Sequence, residues 1–244
     1  MMLAFGFFVT ALLYASVGFG GGSTYSALLA LVGFDFRLLP IVSLCCNIVV
    51  VSGSTIRFAR AGLVPWRGAL TLALVAAPLA FLGGLTPVKE STFLLLLGLS
   101  LILAGLALLL PRAPEREGLP APAARWMGLA AAPLGYLAGL VGIGGGIFLA
   151  PLLHLTRWNR ARQIAATASL FILINSIAGL IGQLGKNGPD RFAEALSGAL
   201  PLLLAVIAGG QLGSLLAQRL LPEKVIRWLT AALTIWAGSQ LLLR

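Results

Sequence analysis

The chain has 244 residues, of which 59% are hydrophobic and 10% charged, and its mean hydropathy is +1.00. Soluble domains carry about 25% charged residues, so this composition excludes an ordinary soluble protein and identifies an integral membrane protein. The net charge of +10 would suggest nucleic acid in a soluble chain; here Lys and Arg occupy short loops, which they hold in the cytoplasm, and no nucleic-acid partner is expected.

Residues 3–17 are apolar. Gly18-Phe19-Gly20-Gly21-Gly22 then interrupts them, and residues 23–32 are apolar again. The opening run has signal-peptide length but no basic segment, and the glycines follow directly, so it reads as retained structure. Three consecutive glycines inside an apolar stretch mark a broken helix. Asp35 and Arg37 come next, then a predicted span over 38–58 ended by Arg57 and Arg60. Pro65, Trp66 and Arg67 lead into a span at 68–86. Pro87, Lys89 and Glu90 form a turn, and a leucine-rich span covers 92–110.

Residues 111–124 are Pro-rich and charged, which marks a linker between a first transmembrane repeat at 1–110 and a second at 125–244. The second half repeats the plan. Residues 126–141 are apolar, Gly142-Ile143-Gly144-Gly145-Gly146 breaks them, and 147–156 resume. Arg157, Arg160 and Arg162 precede a span at 163–184. Lys186 to Arg191 form a polar loop, and spans follow at 195–217 and 225–243. The glycine motifs lie 124 residues apart, about half the chain. The expected fold is all-α, with two homologous halves, each holding a glycine-broken helix and three transmembrane helices.

Residues 3–32 number 30, about 45 Å of straight helix against a hydrocarbon core of about 30 Å. A re-entrant hairpin turning at the glycines fits that length better than a crossing. Loop charges favour the same reading: with both broken segments returning to their side of entry, twelve Lys and Arg fall on one face and five on the other. With eight full crossings the split is eight and nine, which shows no positive-inside bias. Three crossings per half would invert the second half relative to the first, as in many secondary transporters. Both termini would lie outside, and the glycine tips would meet near the midplane.

Each break exposes the N-terminus of a short helix, beginning at Ser23 and near Ile147. Unpaired N–H groups and the positive dipole end face the break. Glycines at Gly20, Gly21, Gly22, Gly144, Gly145 and Gly146 let an anion approach bare backbone. The competing reading is that they only allow close helix packing; two copies at matching places favour a site. Ser23 and Thr24 can cap the first helix or contact a ligand. In the second span Ser43, Asn47 and Ser54 share a helical face. Ser169, Asn175 and Ser176 do so further on, with Thr167 nearby. These polar residues can line the site or join helices by hydrogen bonds, as can Gln183 and Gln211. His154 reads as an interfacial histidine, and Trp66, Trp126, Trp158 and Trp228 as interface anchors. All seven acidic residues lie in loops or at span edges, which argues against a cation substrate. Cys45 and Cys46 are adjacent and apolar in setting; no disulfide, metal or cofactor is expected.

With these residues in view, the chain resembles the TauE/SafE family, the sulfite exporter family of membrane permeases. The two glycine motifs carry the resemblance, with Pro151, the run from Ala165 to Gly179 that holds Thr167, Ser169, Phe171, Asn175 and Ser176, and Asn47 with Ser52 to Phe58. Ala27 stands where the second repeat has Pro151. The resemblance implies transport of sulfite or organosulfonates such as sulfoacetate across a bacterial inner membrane. It implies a small anionic substrate and a lipid bilayer as partners; a homo-oligomer is compatible with it. An intramembrane enzyme needs a nucleophile with a base, or a metal site, and one His with no mid-span carboxylate argues against it. A non-transporting scaffold leaves the paired motifs unexplained.

Overall fold

The structure is a computed structural model that describes residues 2–16, 18–110, 124–216 and 223–243. All regular elements among them are α-helices: α1 Met2–Ser16, α2 Gly22–Leu31, α3 Leu39–Arg60, α4 Trp66–Leu85, α5 Glu90–Leu109, α6 Ala124–Val141, α7 Gly146–Leu155, α8 Ala161–Leu216 and α9 Glu223–Leu242. The predicted linker at 111–124 falls outside the described residues except for Ala124, which opens α6. The side chain of Trp126 is likewise outside them.

Among the described residues four helices, α3, α4, α5 and α8, are long and apolar enough to cross a membrane. Their outer surface is apolar as well. Leu74, Leu95, Leu103, Leu200 and Leu204 are each more than half exposed. In water such a surface would drive aggregation; in a bilayer it is solvated by lipid.

α8 corrects the predicted loop at 186–191. The helix continues through that stretch and breaks its geometry at one residue, Gly188, with φ 80° and ψ 166°. Pro189 follows. Proline lacks an N–H and suits the first turn of a helix, so it opens a second arm at 189–216. The two arms stand where the spans at 163–184 and 195–217 were expected, and the loop between them shrinks to the break at Gly188.

The halves interleave. α4 packs on α6 and on the first arm of α8, α1 on the second arm, α3 on α8, and α5 on α9. Small residues set these contacts. Gly135 and Gly139 lie against the carbonyls of Ala76 and Ala80, and Gly209 and Gly213 against those of Phe8 and Leu12. Close backbone approach of this kind maximises van der Waals contact where lipid supplies no hydrophobic drive.

α2 folds back along α1. The rings of Phe7 and Tyr25 stack with centroids 4.8 Å apart. A Cβ on Gly6 would lie 3.3 Å from Leu28 Cδ1, and one on Gly21 would lie 3.1 Å from Thr10 Cγ2. Ascending positions on α1 thus meet descending positions on α2. In the second half a Cβ on Gly145 would lie 3.1 Å from Leu134 O, the same spacing in sequence as Gly21 to Thr10.

Candidate functional site

Both short helices begin in the same way. Gly21 precedes α2 with φ 84° and Gly145 precedes α7 with φ 76°, and neither cap carries a side-chain hydrogen bond. These left-handed conformations disfavour side chains, which explains glycine at both places. The helices therefore start at Gly22 and Gly146, slightly earlier than expected. Ser23 and Thr24 are not caps. Both are buried, and Thr24 Oγ1 lies 2.7 Å from the Tyr14 hydroxyl.

Asn47 lies between the two breaks. Its Oδ1 accepts a hydrogen bond from the N–H of Gly22 at 2.8 Å. Its Nδ2 has no partner, although the residue is fully buried. A Cβ on Gly144 would stand 2.8 Å from that Nδ2, and one on Gly20 or Gly22 would collide with the Asn47 amide. A Cβ on Gly22 would also lie 2.6 Å from Gly142 O. The first break, the second break and one asparagine from α3 thus share one buried spot.

The second half answers with residues of α8. Ser169 donates from Oγ to Gly18 O at 2.6 Å. Ser176 Oγ is buried without a partner, 3.1 Å from where a Gly144 Cβ would be. Ile172 packs on Gly146, in the place that Asn47 takes beside Gly22, so the two breaks are polar on one side and apolar on the other. Asn175 turns back on its own helix: Nδ2 donates to Phe171 O at 2.8 Å, while Oδ1 is buried and unpartnered. Thr167 donates to Gln163 O at 2.8 Å, also within its helix. Asn47, Ser176 and the glycines therefore converge; Ser169 ties the first break to α8; Thr167 and the amide nitrogen of Asn175 serve α8 itself.

Other polar residues join helices. Gln183 donates to Gly139 O at 2.9 Å, and Arg57 donates to Gln211 Oε1 at 3.3 Å. Ser26 and Ser43 share a 2.7 Å hydrogen bond. Ser54 is buried with its hydroxyl unpartnered. His154 is half-buried in the last turn of α7. Trp66 and Trp228 are half-exposed, as anchors would be, whereas Trp158 packs its ring on Gly68.

One assembly escaped the sequence reading. Tyr14 Oη lies 2.7 Å from both Thr24 Oγ1 and Thr234 Oγ1. Thr234 spends its proton on Thr230 O at 2.6 Å, so Tyr14 donates to Thr234 and accepts from Thr24. The chain of hydroxyls fastens α2 to α1 and α9. Its signal was Tyr14 itself, since a tyrosine inside an apolar run needs a hydroxyl partner.

Chemically the spot is rich in donors: the first N–H groups of α7, Asn47 Nδ2 and the Ser176 hydroxyl. Helix N-termini attract negative charge; of the described acidic residues Asp35 lies between α2 and α3, Glu90 and Glu223 open α5 and α9, and Asp190 and Glu194 lie in α8 just after its break at Gly188. Among the described residues no group of three or more His, Cys, Asp or Glu could hold a metal.

The family model described as sulfite exporter TauE/SafE matches residues 2–241. A probable membrane transporter protein of Sinorhizobium fredii is 35% identical, over 98% of this chain and 97% of its own. One of Methanocaldococcus jannaschii is 24% identical over 96% of this chain and 92% of its own. One of Xylella fastidiosa is 32% identical over 84% and 80%. No solved structure matches.

Proposed function

We propose, from the premise that the chain belongs to the sulfite exporter TauE/SafE family of multi-pass membrane transporters, that it carries a small sulfur-containing anion, sulfite or an organosulfonate, bound between the two glycine breaks. The observation that carries this reading is Asn47. A buried amide N–H left without a partner costs about 1–3 kcal/mol, and a ligand oxygen at Gly144 would satisfy it. The first turn of α7 and the Ser176 hydroxyl would supply further donors. An anion would be held by partial charges alone, which permits release as well as capture. The protein acts as a carrier in the inner membrane and not as an enzyme.

The topology we infer is six crossings and two re-entrant hairpins, with the halves inverted about the membrane plane. The antiparallel contacts of α1 with α2 support the first hairpin. A second support comes from charge. Arg37, Lys89, Lys186 and Arg191 line one cavity of about 700 Å³. Eight crossings would put Arg37 and Lys89 on the opposite face from Lys186 and Arg191; hairpins put all four on the outer face. Alternating access would then move the halves around Asn47.

The test is thermal stabilisation of the detergent-purified protein by sulfite, thiosulfate, sulfate, sulfoacetate and small carboxylates. A sulfur anion should raise the Tm of the native chain and not that of Asn47→Leu. Stabilisation by a cation or a neutral solute alone would defeat the anion reading.

A further inference from the structure

The cavity that joins Arg37, Lys89, Lys186 and Arg191 has work beyond topology. Its charged lining is four cations against one carboxylate, Glu90. Glu90 stands in the first turn of α5, where the helix dipole favours it. Arg37 stacks over Phe36, with its guanidinium carbon 5.6 Å from the ring centroid. The loops come from both halves: Arg37 and Lys89 from the first, Lys186 and Arg191 from the second. Pro40, in the first turn of α3, also lines the cavity. It also touches the second break, since a Cβ on Gly142 would lie 2.7 Å from Pro40 Cα. Pro40 thus belongs both to the cavity wall and to the surroundings of the second break.

We propose that this cavity is an anion-collecting vestibule, a second binding site for small dianions outside the glycine breaks, with Pro40 bordering both. The proposal rests on the anion-transporter reading for its purpose. Four like charges in one concave space repel each other and attract counter-ions, and such focusing raises local anion concentration by about 10- to 1,000-fold. The volume holds a small oxyanion with part of its hydration shell. Lys186 is half-buried in the cavity wall, so its ammonium gives up part of its hydration. A visiting anion would relieve that cost. Arg37, Lys89, Arg191 and Glu90 are the other charged groups facing it.

The experiment reads charge inside the cavity without needing transport. Asn187, which also lines it, is changed in a Cys45→Ala/Cys46→Ala background as Asn187→Cys. The thiol is then modified with anionic sulfonatoethyl or cationic trimethylammonioethyl methanethiosulfonate, each rate referred to that of free 2-mercaptoethanol. The anionic reagent should be favoured at least tenfold. The preference should fall at least fivefold in Arg37→Gln/Arg191→Gln, and millimolar thiosulfate should slow the reaction. Equal rates, or a faster cationic reagent, would overturn the vestibule. If Asn187→Cys is not monodisperse on size-exclusion chromatography, Val88→Cys on another wall gives the same readout. The two readings fail separately. Reagent preference, with anion stabilisation that Asn47→Leu does not diminish, would sink the anion site at the glycine breaks and keep the vestibule. Stabilisation without reagent preference would do the reverse.

Discussion

Asn47 divides its two ends between two breaks, and this makes it a sharp probe. Its oxygen is committed to Gly22, while its nitrogen is free to bind. Asn47→Asp keeps the acceptor and the shape but replaces the free donor with negative charge. Losing a charge-assisted hydrogen bond costs about 1.5–3 kcal/mol, or about 10- to 100-fold in affinity. The variant should therefore fold, and anion affinity by isothermal calorimetry should drop by at least that factor. Gly22→Ala tests the close approach of the breaks. Its Cβ meets both the Asn47 amide and Gly142 O. Overpacking of this sort costs about 1–3 kcal/mol, visible as a lower Tm in detergent. Asn47 and the glycines could be picked from the sequence because polar and glycine residues are costly inside an apolar span. That Asn175 would turn inward onto Phe171 could not be read, because helical spacing sets a face but not a rotamer.

At the scale of elements, the hairpin of α1 and α2 is pinned by hydroxyls and not by capping. Tyr14→Phe removes the link between Thr24 and Thr234 while keeping the ring. A net hydrogen bond contributes about 0.5–1.5 kcal/mol, more when a buried partner is left unsatisfied. We expect a Tm loss in detergent larger than that of Ser239→Ala, whose hydroxyl bonds only its own helix at an exposed site. The helices themselves were legible from composition: apolar runs of span length have few alternatives in a membrane. The join within α8 was not. Gly188-Pro189 reads as a loop by turn chemistry, yet helix geometry resumes on both sides, so one residue absorbs the change of direction. Helix pairing was equally hidden, because small residues such as Gly139 and Gly213 announce close contact without naming the partner.

For the whole molecule, the outer face should carry both Asp35 and Gly188. Cysteines placed singly at these positions should react with an impermeant reagent from the same side of intact cells; labelling of Asp35→Cys from the cytoplasm alone would sink the hairpin topology. The first arm of α8, residues 161–187, is about 40 Å long, enough in the hairpin topology to reach across a core of about 30 Å. The ties between the halves also bear on how the protein is made. Gly18 O waits for Ser169, 151 residues downstream. At about 5–20 residues per second, the first break stays open for about 8–30 s after it leaves the ribosome. During that time the early helices sit in the membrane with a gap where α8 belongs, so the insertion machinery must hold a half-built protein apart from its neighbours until its own second half arrives.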